Sequence, residues 1–159
     1  GVRRQNVRPV PIDMAAVVKE AMGRIENLVQ ASGATIDLPS AWPVALGHAP
    51  WVAEVWANYL SNAVKYGGQP PVIRLGADAT PLGVRFWISD NGAGLTAEQQ
   101  EQLFQPFARI AGTRAKGHGL GLSIVRRIAE KLSGSAGVTS ELGVGSRFWF
   151  ELPAAPAAS

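Results

Sequence analysis

The chain predicts an α+β fold, a two-layer α/β sandwich with a mixed sheet of about five strands and three main helices on one face. Three observations lead there. Apolar residues recur at helical spacing in three stretches, near 13–33, 50–66 and 119–132. Short β-branched and aromatic runs, bounded by Gly and Pro, separate those stretches. The closing runs fit antiparallel hairpins, and nothing repeats at a fixed period.

Residues 1–12 read as an extended lead-in, because Pro9 and Pro11 oppose helix. Asp13 is an N-cap, after which Ala16, Val17, Ala21, Ile25, Leu28 and Val29 keep helical spacing as far as Gly33. Ala34–Leu38 and Val44–Leu46 are short strands broken by Pro39 and Pro43. A second helix runs from about Pro50 to Tyr66, with Pro in its first turn and Gly67-Gly68 closing it. Val72–Leu75 and Val84–Ser89 are strands joined through Pro81-Leu82-Gly83. A short helix from Ala97 to Phe104 follows a Thr96 cap with Gln99 as its reciprocal partner. Residues 105–118 lack periodicity and read as a mobile loop. The third long helix, about Gly119–Leu132, turns Leu122, Ile124, Val125, Ile128 and Leu132 inward. Strands near Ala136–Thr139 and Ser146–Leu152 close the domain, and the Ala/Pro-rich tail from Pro153 to Ser159 is expected to fray.

At 159 residues the chain is the size of one domain. No apolar run approaches the ~18 residues needed to cross a bilayer, and Gly1-Val2-Arg3-Arg4-Gln5 opens no secretory signal. We expect native sequence upstream of Gly1, since the first residue is not Met. The absence of cysteine excludes disulfides and thiolate metal sites, and suits a cytoplasmic setting. The net charge of +3 comes from scattered Lys and Arg, without the basic and aromatic alternation of single-strand binders, so nucleic acid is not the expected partner.

Three short runs carry the chemistry. In the second helix Glu54, Asn58, Asn62 and Lys65 fall within roughly 80° of one another, opposite Val52, Val55, Tyr59 and Ala63. Such a stripe also suits an exposed polar face, but Asn is a poor helix former and two of them mid-helix need a reason. An Asn carbonyl is a fitting neutral ligand for Mg²⁺ whose other ligands are phosphate oxygens and water. Asp90 ends a hydrophobic strand and enters Asn91-Gly92-Ala93-Gly94. That run equally fits an ordinary Asp-Asn-Gly turn or a carboxylate accepting from an exocyclic amine, with Gly92 and Gly94 admitting a flat base. Gly117, Gly119 and Gly121 precede the third helix without the strand and spacing of a dinucleotide fingerprint, and no Gly-Lys-Ser/Thr follows. What remains is a flexible loop feeding a helix N-terminus, where unpaired amides favour phosphate.

Together these runs resemble the ATP-binding catalytic domain of sensor histidine kinases, of the gyrase, chaperone, kinase and mismatch-repair ATPase superfamily, over roughly residues 6–153. Asn58 to Tyr66 is similar to the N box, Asp90 to Gly94 to the first glycine box, and Leu103-Phe104-Gln105-Pro106-Phe107 to the F box. Gly117 to Ser123 is similar to the second glycine box, and Gly143 to Phe148 to the closing turn and strand. The resemblance implies the Bergerat ATP-binding fold over residues 13–153, with 105–118 as the ATP lid, 1–12 leading from an upstream dimerisation and phosphoacceptor segment, and 154–159 a flexible tail.

It further implies ATP and Mg²⁺ as cofactors, with Asn62 the metal ligand, Asn58 supporting metal and phosphates, and Lys65 reaching phosphate. Tyr66 would lie against the base and Asp90 would accept from the adenine amino group. Gly117, Gly119, Leu120 and Gly121 would form the hinge and helix start under the phosphates. Phe104 and Phe107 would anchor the lid, and Ser146 would reach the adenine edge through water. Hydrolysing relatives such as gyrase carry a Glu base where this chain has Asn58, which favours phosphoryl transfer over hydrolysis. No phosphoacceptor box is present: His48 lies in a loop and His118 between two lid glycines. The accepting histidine is therefore expected on the upstream segment, with a response regulator as the indirect partner and no membrane contact by this chain. Two alternatives share these residues: an anti-sigma-type serine kinase, and a nucleotide-sensing interaction module without transfer activity.

Overall fold

In chain order the elements are β1 (Val10–Ile12), α1 (Met14–Arg24), α2 (Glu26–Ser32), β2 (Thr35–Asp37), β3 (Ala45–Gly47) and α3 (Ala49–Tyr66). After these come β4 (Val72–Thr80), β5 (Gly83–Ser89), α4 (Ala97–Gln102), α5 (His118–Lys131), β6 (Ser135–Glu141) and β7 (Gly145–Leu152). The structure is a computed structural model that describes residues 7–105 and 118–156, the side chains of 118–120 excepted.

Five strands make one mixed sheet in the order β2-β4-β5-β7-β6. β2 runs parallel to β4, and the other neighbours are antiparallel. β1 and β3 form a separate antiparallel pair. This is the expected two-layer arrangement. The extended lead-in contributes more than expected, because Val10–Ile12 pair with Ala45–Gly47 and Ile12 is buried. The tail corrects an expectation too. Leu46 N donates to Pro153 O at 2.9 Å, and Ala154 bridges Ala45, so the chain is tethered to β3 beyond the last long strand.

The first helical stretch is two helices. Asp13 caps α1 by accepting from Ala16 N at 3.2 Å. The helix stops at Ile25 (φ −115°, ψ 16°) and resumes as α2, which ends on left-handed Gly33 (φ 71°). α1 buries Met14, Val17, Val18 and Ala21, whereas Ala16 is exposed and α2 buries no residue fully. The break turns Ile25 into the core and lays α2 along the surface.

α3 is the central helix. Pro50 sits in its first turn, where a missing N–H costs nothing, and Gly67 closes it in extended geometry. Trp56 packs edge-on to Phe150 at 5.1 Å, and Phe150 stacks on Phe86 at 5.3 Å. The buried polar tips find partners: Trp56 Nε1 donates to Met14 Sδ at 3.2 Å, and Tyr59 Oη donates to Trp149 O at 2.8 Å. α3 is thereby pinned both to α1 and to β7. α5 buries Leu122, Val125, Ile128, Ala129 and Leu132, but Ile124, expected inward, is 41% exposed.

The other face of the sheet has its own packing. Trp87 lies over Gly76 and Trp149 over Gly137, where a Cβ would overlap the rings. Arg147 and Arg85 cover those indoles at 3.8 and 3.7 Å.

Candidate functional site

α3 carries both ends of the candidate site. Near its middle, Asn58 Oδ1 abuts Gly121 of α5, where any Cβ would overlap it. At its C-terminal end, the Tyr66 carbonyl meets Gly92, which has no room for a Cβ either. The eight steps from Asn58 to Tyr66 span about 12 Å of helix. One helix therefore holds the glycine-rich start of α5 and the Asp90 turn at opposite ends of its open face.

Asn62 sits between them. It is only 7% exposed, and its side chain makes no hydrogen bond among the described residues. Leaving a buried amide unpaired costs about 1–3 kcal/mol, and such groups in native proteins call for a ligand, ion or water. Lys65 is exposed in the last turn of α3. Asn58 is half-buried, and both its amide N–H groups are spent on Glu54: Nδ2 donates to Glu54 O at 2.8 Å and to Glu54 Oε2 at 3.1 Å.

Asp90 is half-buried where β5 ends. Its Oδ1 accepts from Gly92 N at 2.8 Å and Ser146 N at 3.3 Å, while Oδ2 accepts nothing among the described residues. Burial pushes this carboxyl above its ordinary range, and the Gly92 and Ser146 amides pull partly back. The arrangement leaves one carboxylate oxygen, poorly solvated and rigidly held, to accept from a ligand. Burial also raises the Tyr66 phenol nearby.

The glycines answer to the protein's own backbone. Gly92 makes room for the Tyr66 carbonyl, and Gly94 (φ 80°) for that of Glu141. Gly145 (φ 145°) does the same for Asp90 O. Ser146 Oγ bonds Ser140 Oγ at 2.8 Å, and Ser140 Oγ accepts from Leu95 N at 2.7 Å. Gly119 and Leu120 lie in the first turn of α5, on its backbone. Gly117, Phe107 and most of the expected lid fall outside the described residues, while Phe104 is buried.

Two contributors escaped the sequence reading. Asn91 Oδ1 accepts from Gly68 N at 2.8 Å and Val72 N at 2.9 Å, and its Nδ2 donates to Pro70 O at 3.2 Å. It ties the loop leaving α3 to the Asp90 turn, yet its neighbours read as an ordinary turn and carry no signal of a partner twenty residues away. Ser140 is likewise revealed only by strand register.

Among the described residues, no three His, Cys, Asp or Glu side chains gather as a metal site, and no helix is long and apolar enough to cross a membrane. A groove of about 800 Å³ between α1 and the 38–44 segment, lined by Met14, Met22 and Trp42, includes none of the candidate site residues.

A family model described as histidine kinase-, DNA gyrase B- and HSP90-like ATPase matches residues 47–156. The adaptive-response sensory kinase SasA of Parasynechococcus marenigrum is 34% identical over 150 residues, 91% of this chain and 39% of that protein. The methanogenesis regulatory histidine kinase FilI of Methanothrix harundinacea is 33% identical over 139 residues, 86% of this chain and 16% of that protein. The chain thus spans well under half of either relative. Full-length ShkA, crystallised in complex with AMPPNP, superposes with a TM-score of 0.81 at 30% identity, covering 98% of this chain and 33% of that one.

Proposed function

We propose, from the premise that this chain belongs to the histidine kinase-, DNA gyrase B- and HSP90-like ATPase family, that it binds Mg²⁺-ATP and donates the γ-phosphoryl group to a histidine outside this chain. The AMPPNP complex of ShkA, an adenine nucleotide analogue on the same fold, supports the ligand class. The observation that carries the reading is the buried Asn62 amide on α3, which has no hydrogen-bond partner among the described residues. A protein folded for stability alone would have an apolar residue there.

In this reading Asp90 Oδ2 accepts from the adenine amino group and Tyr66 flanks the base. The backbone of the first turn of α5 faces the phosphates, with Lys65 as their cation. Asn62 would hold Mg²⁺, which when bound neutralises charge developing on the phosphate oxygens. An imidazole nitrogen attacks the γ-phosphorus as the bond to the β–γ bridging oxygen breaks, and ADP leaves with that bond's electron pair. Positioning and charge stabilisation suffice for such a transfer. No carboxylate of α3 is placed to deprotonate water: Asn58 is an amide, and Glu54 is held by Arg24 and Asn58.

The test is to incubate this chain with γ-labelled ATP, Mg²⁺ and the histidine-bearing helical segment that this reading expects upstream of it. Acid-labile label on that segment is the expected result. Acid-stable label on another protein, or tight binding with no label anywhere, would refute histidine transfer.

A further inference from the structure

We propose that Glu54 is a positioning residue for the metal side of this site: it fixes and polarises Asn58 so that Asn58 presents a lone acceptor to a divalent cation or its bound water. The inference rests on the nucleotide-binding reading above and adds a division of labour to it.

An amide side chain owns two donors and one acceptor oxygen. Both contacts of Asn58 Nδ2 are to acceptors, the Glu54 carbonyl at 2.8 Å and Glu54 Oε2 at 3.1 Å. The orientation of the amide is therefore decided, since the flipped form would set oxygen against oxygen at both. Oδ1 is left facing the start of α5, against the open side of Gly121. A phosphate oxygen has no proton to give an acceptor. A cation, or water polarised by one, does have something to offer. Asn58 thus belongs with the metal, which narrows the joint metal and phosphate role expected from its sequence position.

Glu54 adds charge to this geometry. Its other oxygen, Oε1, receives Arg24 Nη2 at 3.1 Å, so α1 steadies the carboxylate from behind. A carboxylate accepting from the N–H of an amide shifts electron density toward the carbonyl oxygen and makes it a better ligand, as such outer partners do for metal-bound imidazoles. The Arg24 and Glu54 side chains are 47% and 43% exposed. An ion pair that open contributes little to stability, so a purely structural role leaves metal affinity untouched.

The test compares this chain with its Glu54→Gln variant by calorimetry, titrating AMPPNP in Mg²⁺ and again in EDTA. Gln keeps the shape and an acceptor but loses the charge. We expect the affinity gain from Mg²⁺ to fall about tenfold, with the EDTA affinity unchanged, and Glu54→Ala to fall at least as far. An equal Mg²⁺ gain in wild type and Glu54→Gln overturns the inference while leaving nucleotide binding intact. A second readout needs no nucleotide: the Asn58 side-chain amide protons should exchange slowly in wild type and fast in Glu54→Ala. Fast exchange in wild type overturns the positioning of Asn58. Wild type that binds no nucleotide in either buffer overturns the proposed function itself.

Discussion

Asp90 is under two opposed demands. Burial disfavours its charge, while the base-binding role proposed above would draw on that charge. Its folded pKa is raised, so its contribution to stability is present below the ordinary carboxylate value of about 4 and is lost as pH climbs through the folded value. Asp90→Asn keeps an acceptor for Gly92 N and Ser146 N. It should therefore melt at the same or a higher temperature than wild type at pH 7, with the gap closing below pH 4. Calorimetry should show ATP affinity weaker by about 1–3 kcal/mol, and unchanged affinity would dismiss the adenine role. Asn62→Ala should stabilise the empty domain, or leave it as it was, while removing the Mg²⁺-dependent part of ATP affinity. Persistence of that dependence would dismiss the metal assignment. Asn62 stood out in the sequence because an Asn pair mid-helix is unusual on local grounds, whereas Asp90 equally fitted an ordinary turn and was singled out through the resemblance. Asn91 was not, since the three bonds that make it useful reach a loop twenty residues earlier.

At the scale of elements, the contact between α3 and α5 ties packing to chemistry. Gly121→Ala would gain about 0.8–1 kcal/mol of helix propensity, yet its Cβ must displace Asn58 Oδ1. Moving that amide breaks its two bonds to Glu54, each contributing about 0.5–1.5 kcal/mol. The loss, about 1–3 kcal/mol for the pair of bonds, matches or exceeds that gain, so the melting temperature should hold level or fall modestly. The Mg²⁺ enhancement of nucleotide binding should nevertheless collapse, as calorimetry would read. A variant that keeps full Mg²⁺ enhancement would show that this contact is packing alone. Helix ends were readable here because capping is local: Asp13, the Thr96–Gln99 box and Gly33 all act as their residue types suggest. The break at Ile25 was not, because the apolar period continues through it and only the core beneath decides. β4 outran its expected end at Leu75 for a similar reason. Gly76, Ala77, Asp78 and Ala79 are weak strand formers, held in the sheet by pairing with β5, with Trp87 lying over Gly76 and donating to Asp78.

For the whole molecule, the layer arrangement followed from alternating helix and strand periods, whereas the strand order did not. The pairing of β2 beside β4, and of β7 between β5 and β6, depends on contacts far apart in the chain. The same is true of the 10–12 segment and of Ala154, both of which lie along β3. These closures pack α3 against the sheet, and among the described residues its less buried face, with Glu54, Asn58 and Ser61, runs from the start of α5 to the Asp90 turn. A triphosphate seated there should touch both. Calorimetric titration of this chain with ATP and with GTP in Mg²⁺ tests that most directly. One saturable site that prefers ATP, loses that preference in Asp90→Asn and is displaced by ADP is the expected result. Indifference to both nucleotides, or a preference that survives Asp90→Asn, would contradict it.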